Sequence, residues 1–305
     1  KNEERFALPI MGRVQSIDNA WDVYAMSTYN TITSLAESKI DPNVLYAGTD
    51  DGIIQYTKNG GQNWTKMTVD QLPKTPSSAF VNDIKTDSFN VSTVYVCLDN
   101  HKFGDYKPYL FKTTDGGKSW KSITSGLPEK ILVWRLVQDH INPNLLFLGT
   151  EYGVYVTLNQ GEKWHKFSNG LPTIPVRDLT IQRRENDLVL ATFGRSFYVL
   201  DDFSPLRNFS EEKLNKDVLF EPRKALQYTP MIGGTSSDGG ASFKRKNPEY
   251  GATISYFIKD GFKSLAAQRT KKENAAGLSD DVLDKLKEAG YSFSNIKDAE
   301  KAEIK

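Results

Sequence analysis

The segment 100–108, Asn-His-Lys-Phe-Gly-Asp-Tyr-Lys-Pro, contains side chains suited to recognising a ligand. The donors and aromatic rings in it are His101, Lys102, Lys107, Phe103 and Tyr106. Such a mixture of apolar contact area and hydrogen-bond donors is typical of contact surfaces. A turn between two strands needs only about two to five residues, so the segment is longer than a fold requires. We predict a recognition loop; the alternative is that its rings pack against the region of Trp21 and Tyr24.

Four residues outside this segment could bind an anion or a polar partner. They are Arg135, Tyr152, Arg177 and Arg195. Arginine presents a planar fork of donors that matches a carboxylate. For Arg135 and Arg177 the competing interpretation is simple pairing with neighbouring carboxylates. Gly194-Arg195 fits a structural role as well as a functional one.

Metal and cofactor chemistry has no support in the sequence. His101, with no second His, no Cys and no paired carboxylate nearby, is not a metal motif. Asp50-Asp51-Gly52 is most simply a hairpin turn, with metal or sugar binding as the alternative. The signatures of lipases, P-loop enzymes and dinucleotide-binding proteins are absent. We predict no catalytic residue, no metal and no cofactor.

A short motif that occurs three times must position these residues. It reads Ser/Thr-x-Asp/Asn-x-Gly-x-x-Trp, and its members are Thr57, Asn59, Gly61 and Trp64, then Thr113, Asp115, Gly117 and Trp120, then Thr157, Asn159, Gly161 and Trp164. The hydroxyl and the short Asx side chain bond to turn backbone, Gly supplies a positive φ, and Trp covers the sheet behind the turn. We predict a structural role for all three boxes, as corners of stacked hairpins.

The spacing of the boxes predicts the fold. Trp64 and Trp120 are 56 residues apart, and Trp120 and Trp164 are 44 apart, which matches one four-stranded propeller blade. A second marker, Leu-Pro at 72–73, 127–128 and 171–172, keeps the same step. Short strands and turn signals place three blades at 31–67, 81–123 and 133–167 and a fourth, without a box, at 176–200. We predict an all-β propeller section with four visible blades that belong to a larger ring.

The topology of a blade gathers the candidate residues on one face. The turns between second and third strands and the entrances to first strands share a face, and the boxes lie on the other. We call the first face the loop rim. The predicted binding residues on it are His101, Lys102, Tyr106, Lys107, Arg135, Tyr152, Arg177 and Arg195.

The boxes resemble the Asp box, or bacterial neuraminidase repeat, of sialidases and sortilin-type propellers. Further segments at 8–13, 21–27, 100–105 and 193–195, with Asp201-Asp202, resemble large secreted bacterial proteins often labelled sortilin-like or glycosyl hydrolase. The resemblance covers roughly residues 5 to 270 and implies a fold more than an activity. It also implies a secreted, periplasmic or cell-surface location, with any export signal upstream of this sequence, and we expect the chain to be an interior piece of a longer protein.

The same resemblance implies one enzymatic alternative. Sialidases use an arginine cluster for a carboxylate, a Tyr nucleophile assisted by Glu, and an Asp acid on this face. Matching residue types here are Arg135, Arg177, Arg195, Tyr152 and Glu151. However, Phe6-Ala7-Leu8-Pro9 lacks the arginine of the Arg-Ile-Pro signature. Tyr152 and Glu151 are also sequence neighbours, whereas those two roles usually come from different blades.

Composition and the outer segments complete the prediction. The net charge of +1 excludes a strong attraction to nucleic acid, and no apolar run is long enough to span a bilayer. The single Cys97 is predicted as a small buried strand residue. We divide the chain into an incoming segment at 1–30, blades at 31–207, and a partial β domain with a helical insert at 208–305.

These observations favour a non-catalytic binding or assembly platform of the bacterial cell envelope. Rigid blades would present loops to a protein, peptide or glycan partner, and to the rest of the parent chain. A sialidase-like glycoside hydrolase that uses the loop rim is the alternative.

Overall fold

The computed structural model describes residues 9–10, 13–14, 31–225, 227, 229, 251–259, 261 and 264–275. Two compact units divide after Phe209. Within 1–30, the described part is an antiparallel pair of two-residue strands, β1 (Pro9–Ile10) and β2 (Arg13–Val14). The rest of the predicted incoming segment lies outside the described residues.

Four antiparallel sheets follow one another along the chain, and each is a meander of sequential strands. The first contains β3 (Ile32–Glu37), β4 (Leu45–Thr49), β5 (Ile53–Thr57) and β6 (Thr65–Thr68); the second contains β7 (Phe80–Thr86), β8 (Val94–Asn100), β9 (Asp105–Thr113) and β10 (Lys121–Ser122). The third contains β11 (Val133–Gln138), β12 (Leu146–Thr150), β13 (Gly153–Thr157) and β14 (His165–Lys166); the fourth contains β15 (Val176–Gln182), β16 (Asp187–Thr192) and β17 (Phe197–Leu200). The predicted all-β architecture of propeller blades is confirmed.

The blades stack face to face through three apolar clusters. Tyr46 and Ile54 of the first blade pack with Val96 and Phe111 of the second. On their other sides, strands β8 and β9 place Tyr95, Cys97 and Leu110 against Leu146 and Leu148 of the third blade. Phe147 and Val156 of the third blade meet Leu188 and Leu190 of the fourth. Strand alternation therefore gives each central blade two buried faces, which stabilises the stack mainly through apolar burial.

A β-bulge interrupts the first strand of every blade. In the first two blades, a side chain at the bulge accepts a hydrogen bond from a backbone N–H group of the next blade. Ser34 Oγ accepts the backbone N–H of Ile84 at 2.8 Å, and Asp83 Oδ2 accepts that of Leu136 at 3.1 Å. The equivalent residue in the third blade is an arginine, which cannot accept. In the fourth blade Asp178 Oδ1 therefore accepts its own neighbour, Leu179 N–H, at 2.9 Å.

The three box turns share one hydrogen-bond pattern. In each, the threonine hydroxyl accepts the N–H of the box glycine, at 3.0 Å for Gly61, 3.1 Å for Gly117 and 3.0 Å for Gly161. The same hydroxyl donates to the Asx side chain at 2.7–2.8 Å. The box glycines have φ near +90°, which a residue with a Cβ rarely adopts.

The box tryptophans differ in burial, and the expectation that each covers its sheet is wrong for Trp64. Trp164 is 2% exposed and donates from Nε1 to the Ile123 carbonyl of the preceding blade at 2.7 Å. Trp120 is partly buried against the cluster between blades one and two. Trp64 is 41% exposed. The box indole packs on the preceding blade, and the described residues contain no sheet before the first.

The interface of the third and fourth blades lacks a box indole, because the fourth sheet has three described strands and no box. A cavity of about 450 Å³ lies there, lined by residues such as Phe167, Leu171 and Tyr198. The glycines before the second and third Leu-Pro markers, Gly126 and Gly170, show the effect of the missing box indole. A Cβ on Gly126 would lie 2.3 Å from the Trp164 carbonyl oxygen, whereas nothing lies within 4 Å of a Cβ on Gly170.

The second unit contains few described elements. A 3-10 helix (Glu211–Asn215) precedes β18 (Val218–Leu219), which pairs with β19 (Tyr256–Phe257), and a helix α1 spans Leu265–Ala275. Of the β domain predicted at 208–305, the described strands form one two-residue ladder. Residues 230–250 of this predicted domain, and 276–305, where its helical insert would continue, lie outside the described residues. No helix in the described part of the chain is long and apolar enough to cross a membrane.

Candidate functional site

The segment 100–108 is shorter as a loop than the sequence suggests. A 3-10 turn (His101–Phe103) ends at Gly104, whose φ is +75°. Strand β9 then begins at Asp105, which pairs with Asn100. Asp105 Oδ2 accepts the Tyr109 hydroxyl at 2.5 Å, so the second half of the segment is held as strand. The prediction of a long loop is therefore wrong, because the segment is a tight turn and an extended strand; its role in recognition stays a prediction.

His101 is held by a buried carboxylate. Asp99, at the end of β8, accepts the backbone N–H of His101 at 3.3 Å and also contacts Nδ1 of its ring. The Asp99 side chain is almost completely buried, whereas His101 is over a third exposed. The carboxylate thus fixes the orientation of the imidazole, with Nε2 as the remaining ring nitrogen.

Three residues from three blades form one aromatic and basic group on the loop rim, which we call the Trp134 stack: His101, Trp134 and Arg177. The Arg177 guanidinium carbon lies 3.7 Å from the Trp134 ring centroid. His101 approaches the same indole edge-on, with centroids 6.0 Å apart at 78°. Trp134 and Arg177 occupy the bulges of β11 and β15, and the bulges direct these side chains to a common place.

The Trp134 indole is 5% exposed, and its Nε1 has no hydrogen-bond partner in the part of the chain that the structure describes. A buried donor without an acceptor costs about 1–3 kcal/mol. Stacking with a guanidinium contributes about 0.5–2 kcal/mol in the opposite direction. The stack therefore holds a cation in place and leaves a buried donor unsatisfied.

Arg135 does not belong to the Trp134 stack. Its Nη1 donates to Asp83 Oδ1 at 3.0 Å and to the Asn82 carbonyl at 3.0 Å. Burial raises the pKa of Asp83, and the charges of Lys85 and Arg135 act against that shift. Arg135 thus compensates the charge of a buried carboxylate between blades two and three. This is the pairing with a neighbouring carboxylate that the sequence offered as the competing interpretation of Arg135.

The other predicted rim residues are dispersed around this group. Lys102 Nζ lies 5.3 Å from the Phe80 ring centroid. Tyr106, Lys107, Tyr152 and Arg195 are exposed. The structure therefore brings together His101 and Arg177 from the predicted set, through Trp134. Neither Trp134 nor Asp99 was among the predicted binding residues. The sequence does contain one signal for Trp134, because it follows Val133 in its first strand as Arg177 follows Val176 in the next blade.

Carboxylates on the loop rim are used largely to hold the fold. Asp99 contacts His101, Asp105 accepts Tyr109, and Asp178 accepts Leu179. Within the described ranges, no group of three or more His, Cys, Asp or Glu residues could hold a metal ion. The arrangement can bind a ligand with an acceptor group and an apolar part.

Comparison with known proteins shows that the fold of this chain is similar to that of several solved structures. No protein-family model and no curated protein matches the sequence. Solved structures that are similar include an ancestral GH74 enzyme, at 18% identity and a TM-score of 0.44, over 54% of this chain and 22% of that one. YCF48 bound to D1 peptide has 20% identity and a TM-score of 0.40, over 58% of this chain and 53% of that one. The Swd1 (Cps50) β-propeller domain of Myceliophteria thermophila has 14% identity and a TM-score of 0.42, over 57% and 52%.

This chain therefore spans about half or less of the length of these proteins. At such identities and TM-scores the similarity concerns the fold alone.

Proposed function

We propose that this propeller section is a binding platform whose loop rim recognises a protein, peptide or glycan partner through the Trp134 stack. The observation that carries the proposal is the Arg177 guanidinium held 3.7 Å from the Trp134 ring centroid beside His101. Following the resemblance of the sequence, we place this platform in the bacterial cell envelope.

The chemistry of the stack favours a carboxylate next to an apolar group. A guanidinium that stacks by its face keeps its donors in the plane of the fork, where they match a carboxylate. Arg177 is exposed, while the Trp134 ring beneath it lies at the bulge of β11 and the His101 ring beside that indole is held by Asp99. Little side-chain entropy is therefore lost on binding, because the donors are already oriented.

Arg177→Ala tests the proposal. The probes are a random decapeptide display library and an array of carboxylated and neutral glycans, both presented to the full chain. We expect ligands that carry a carboxylate to be enriched and their affinity to fall about tenfold in Arg177→Ala, the loss of one charge-assisted contact. Lys118→Ala, an exposed change in the central box turn, is the control and should bind as the wild type.

Enrichment of ligands that bind the wild type and Arg177→Ala equally would reject the stack as the site. The same protein should be offered a fluorogenic sialoside. Turnover that disappears in Tyr152→Phe would replace the binding proposal with the hydrolase alternative.

A further inference from the structure

A second pocket lies at the opposite end of the first strands. The turn after β3 reaches the first box, where Gly60 N–H donates to the Asn43 carbonyl at 3.0 Å. The second and third blades repeat this contact, through Gly116 to Ser92 and Gln160 to Asn144. The ends of the first strands therefore lie on the box face, away from the Trp134 stack. A pocket of about 310 Å³ opens there, lined by the first-strand regions of all four blades.

Each blade contributes one basic side chain to this lining. They are Lys39, Lys85, His140 and Arg183. Lys39 Nζ donates to Ser88 Oγ at 3.0 Å. Lys85 Nζ lies 3.6 Å from Asp83 Oδ1, but Asp83 is shared with Arg135.

The nearby carboxylates are mostly committed elsewhere. Asp139 accepts a two-pronged contact from Arg207 at 2.7 and 2.8 Å. Asp87 accepts the N–H groups of Phe89 and Asn90 and the amide of Gln138. Among the described residues that line the pocket, Glu37 is the one carboxylate. The pocket thus contains more cationic than anionic groups, and a cleft lined by one sign of charge attracts ions of the opposite sign.

The cations also affect one another. Burial lowers the pKa of Lys39, and the charges of Arg183 and Lys85 lower it further, while Asp87 acts in the opposite direction. Burial likewise lowers the pKa of His140, as do Arg207, Arg183 and Lys39, while Asp139 acts against this shift. The geometric basis for a shared ligand is that all four side chains line one pocket of about 310 Å³.

We propose that this basic pocket binds an oxyanion, as a free inorganic anion or as the acidic group of a carboxylated sugar, through Lys39, Lys85 and Arg183. Arg183 supplies a planar fork and the lysines supply point charges, which together suit a sulfate, phosphate or carboxylate group. Because the donors come from separate blades, the pocket exists only in the folded stack. The proposal is independent of the Trp134 stack.

Calorimetric titration of the full chain with sodium sulfate, sodium phosphate and sodium glucuronate, at constant ionic strength set with sodium chloride, tests the pocket. We expect saturable binding of at least one anion. Lys39→Gln and Arg183→Gln should each weaken it about tenfold, because each removes one charge-assisted contact. Lys118→Gln removes an equal charge from the box face outside the pocket and should bind as the wild type.

The three anions distinguish the source of the ligand. Binding of sulfate or phosphate without glucuronate indicates a free inorganic anion, whereas tighter glucuronate binding indicates an acidic sugar. A titration without saturable heat for any of the three, or equal affinities in the wild type, Lys39→Gln and Arg183→Gln, would overturn the proposal. Arg183→Lys keeps the charge without the fork, so partial recovery of affinity in it separates charge loss from a folding defect.

Discussion

Asp115 and its counterparts Asn59 and Asn159 occupy the same box position with different chemistry. Each side-chain oxygen accepts the threonine hydroxyl and the N–H four residues on. Only the central box adds a charge, and Asp115 Oδ2 also accepts the Ser119 hydroxyl at 2.6 Å. These contacts from Ser119 and Thr113 hold the pKa of Asp115 well below its usual range.

The charge at Asp115 predicts an acid-sensitive stability term. A carboxylate whose pKa is depressed by folding stabilises the protein above its unfolded pKa of about 3.9, and this stabilisation is lost as the pH falls through the folded value. We expect Asp115→Asn to be less stable than the wild type at pH 7, and the gap to narrow toward pH 2. Urea melts at both pH values measure it.

Asn59→Asp is the reciprocal control, because it should create such a term in the first box. A gap between Asp115→Asn and the wild type that stays constant with pH would contradict the assignment. Asp115 is a surface residue of the turn. The test is therefore how the stability difference between Asp115→Asn and the wild type changes with pH, and not how large that difference is.

At the scale of the element, the box turns were predictable because their geometry is local. Thr113, Asp115 and Gly117 bond within five residues, so their types and spacing suffice to predict the turn. The segment 100–108 was not, because its second half is held as strand by pairing with β8 and by Tyr109. Pairing register depends on the partner strand, which composition does not report.

The candidate site was predictable only in part, for the same reason. Topology placed His101 and Arg177 on the loop rim, and the structure joins them through Trp134. A bulge in the first strand decides which side chain turns toward the rim, and the sequence signals it only through the equivalent positions of residues 134 and 177, each after a valine. Arg135, one position on, pairs with Asp83 instead.

The indole of the third box should stabilise its blade far more than that of the first. Trp164 fills the interface with the preceding blade and donates to Ile123, whereas Trp64 has no such neighbour among the described sheets. We expect Trp164→Ala to cost about 3–5 kcal/mol and Trp64→Ala less than about 2 kcal/mol. Denaturant melts of the two variants give both values.

Trp164→Phe retains most of the apolar area but not the Nε1–H donor, and should fall between the wild type and Trp164→Ala. Equal losses for Trp64→Ala and Trp164→Ala would show that box indoles stabilise their own turns rather than the contact between blades.

At the scale of the whole molecule, the four blades pack against one another in sequence order, and burial decreases from the two central blades to the two terminal ones. Every residue of β8 and β12 is buried. In the first blade Leu35 is 70% exposed, and in the fourth Phe197 is 68% exposed. Repeat architectures of this kind derive their stability from each unit and its contacts with nearest neighbours. The terminal blades lack one of those contacts among the described residues.

Amide hydrogen exchange should therefore follow the order of the blades. Local opening of a central strand breaks two interfaces, while opening of a terminal strand breaks one or none, so its free energy is smaller. We expect the slowest exchange in β8 and β12, and the fastest among the blade strands in β17 and β3. Exchange followed by mass spectrometry on peptides of each strand measures this order. Uniform protection across the four blades would mean that they open as one cooperative unit, and the nearest-neighbour description would then be wrong.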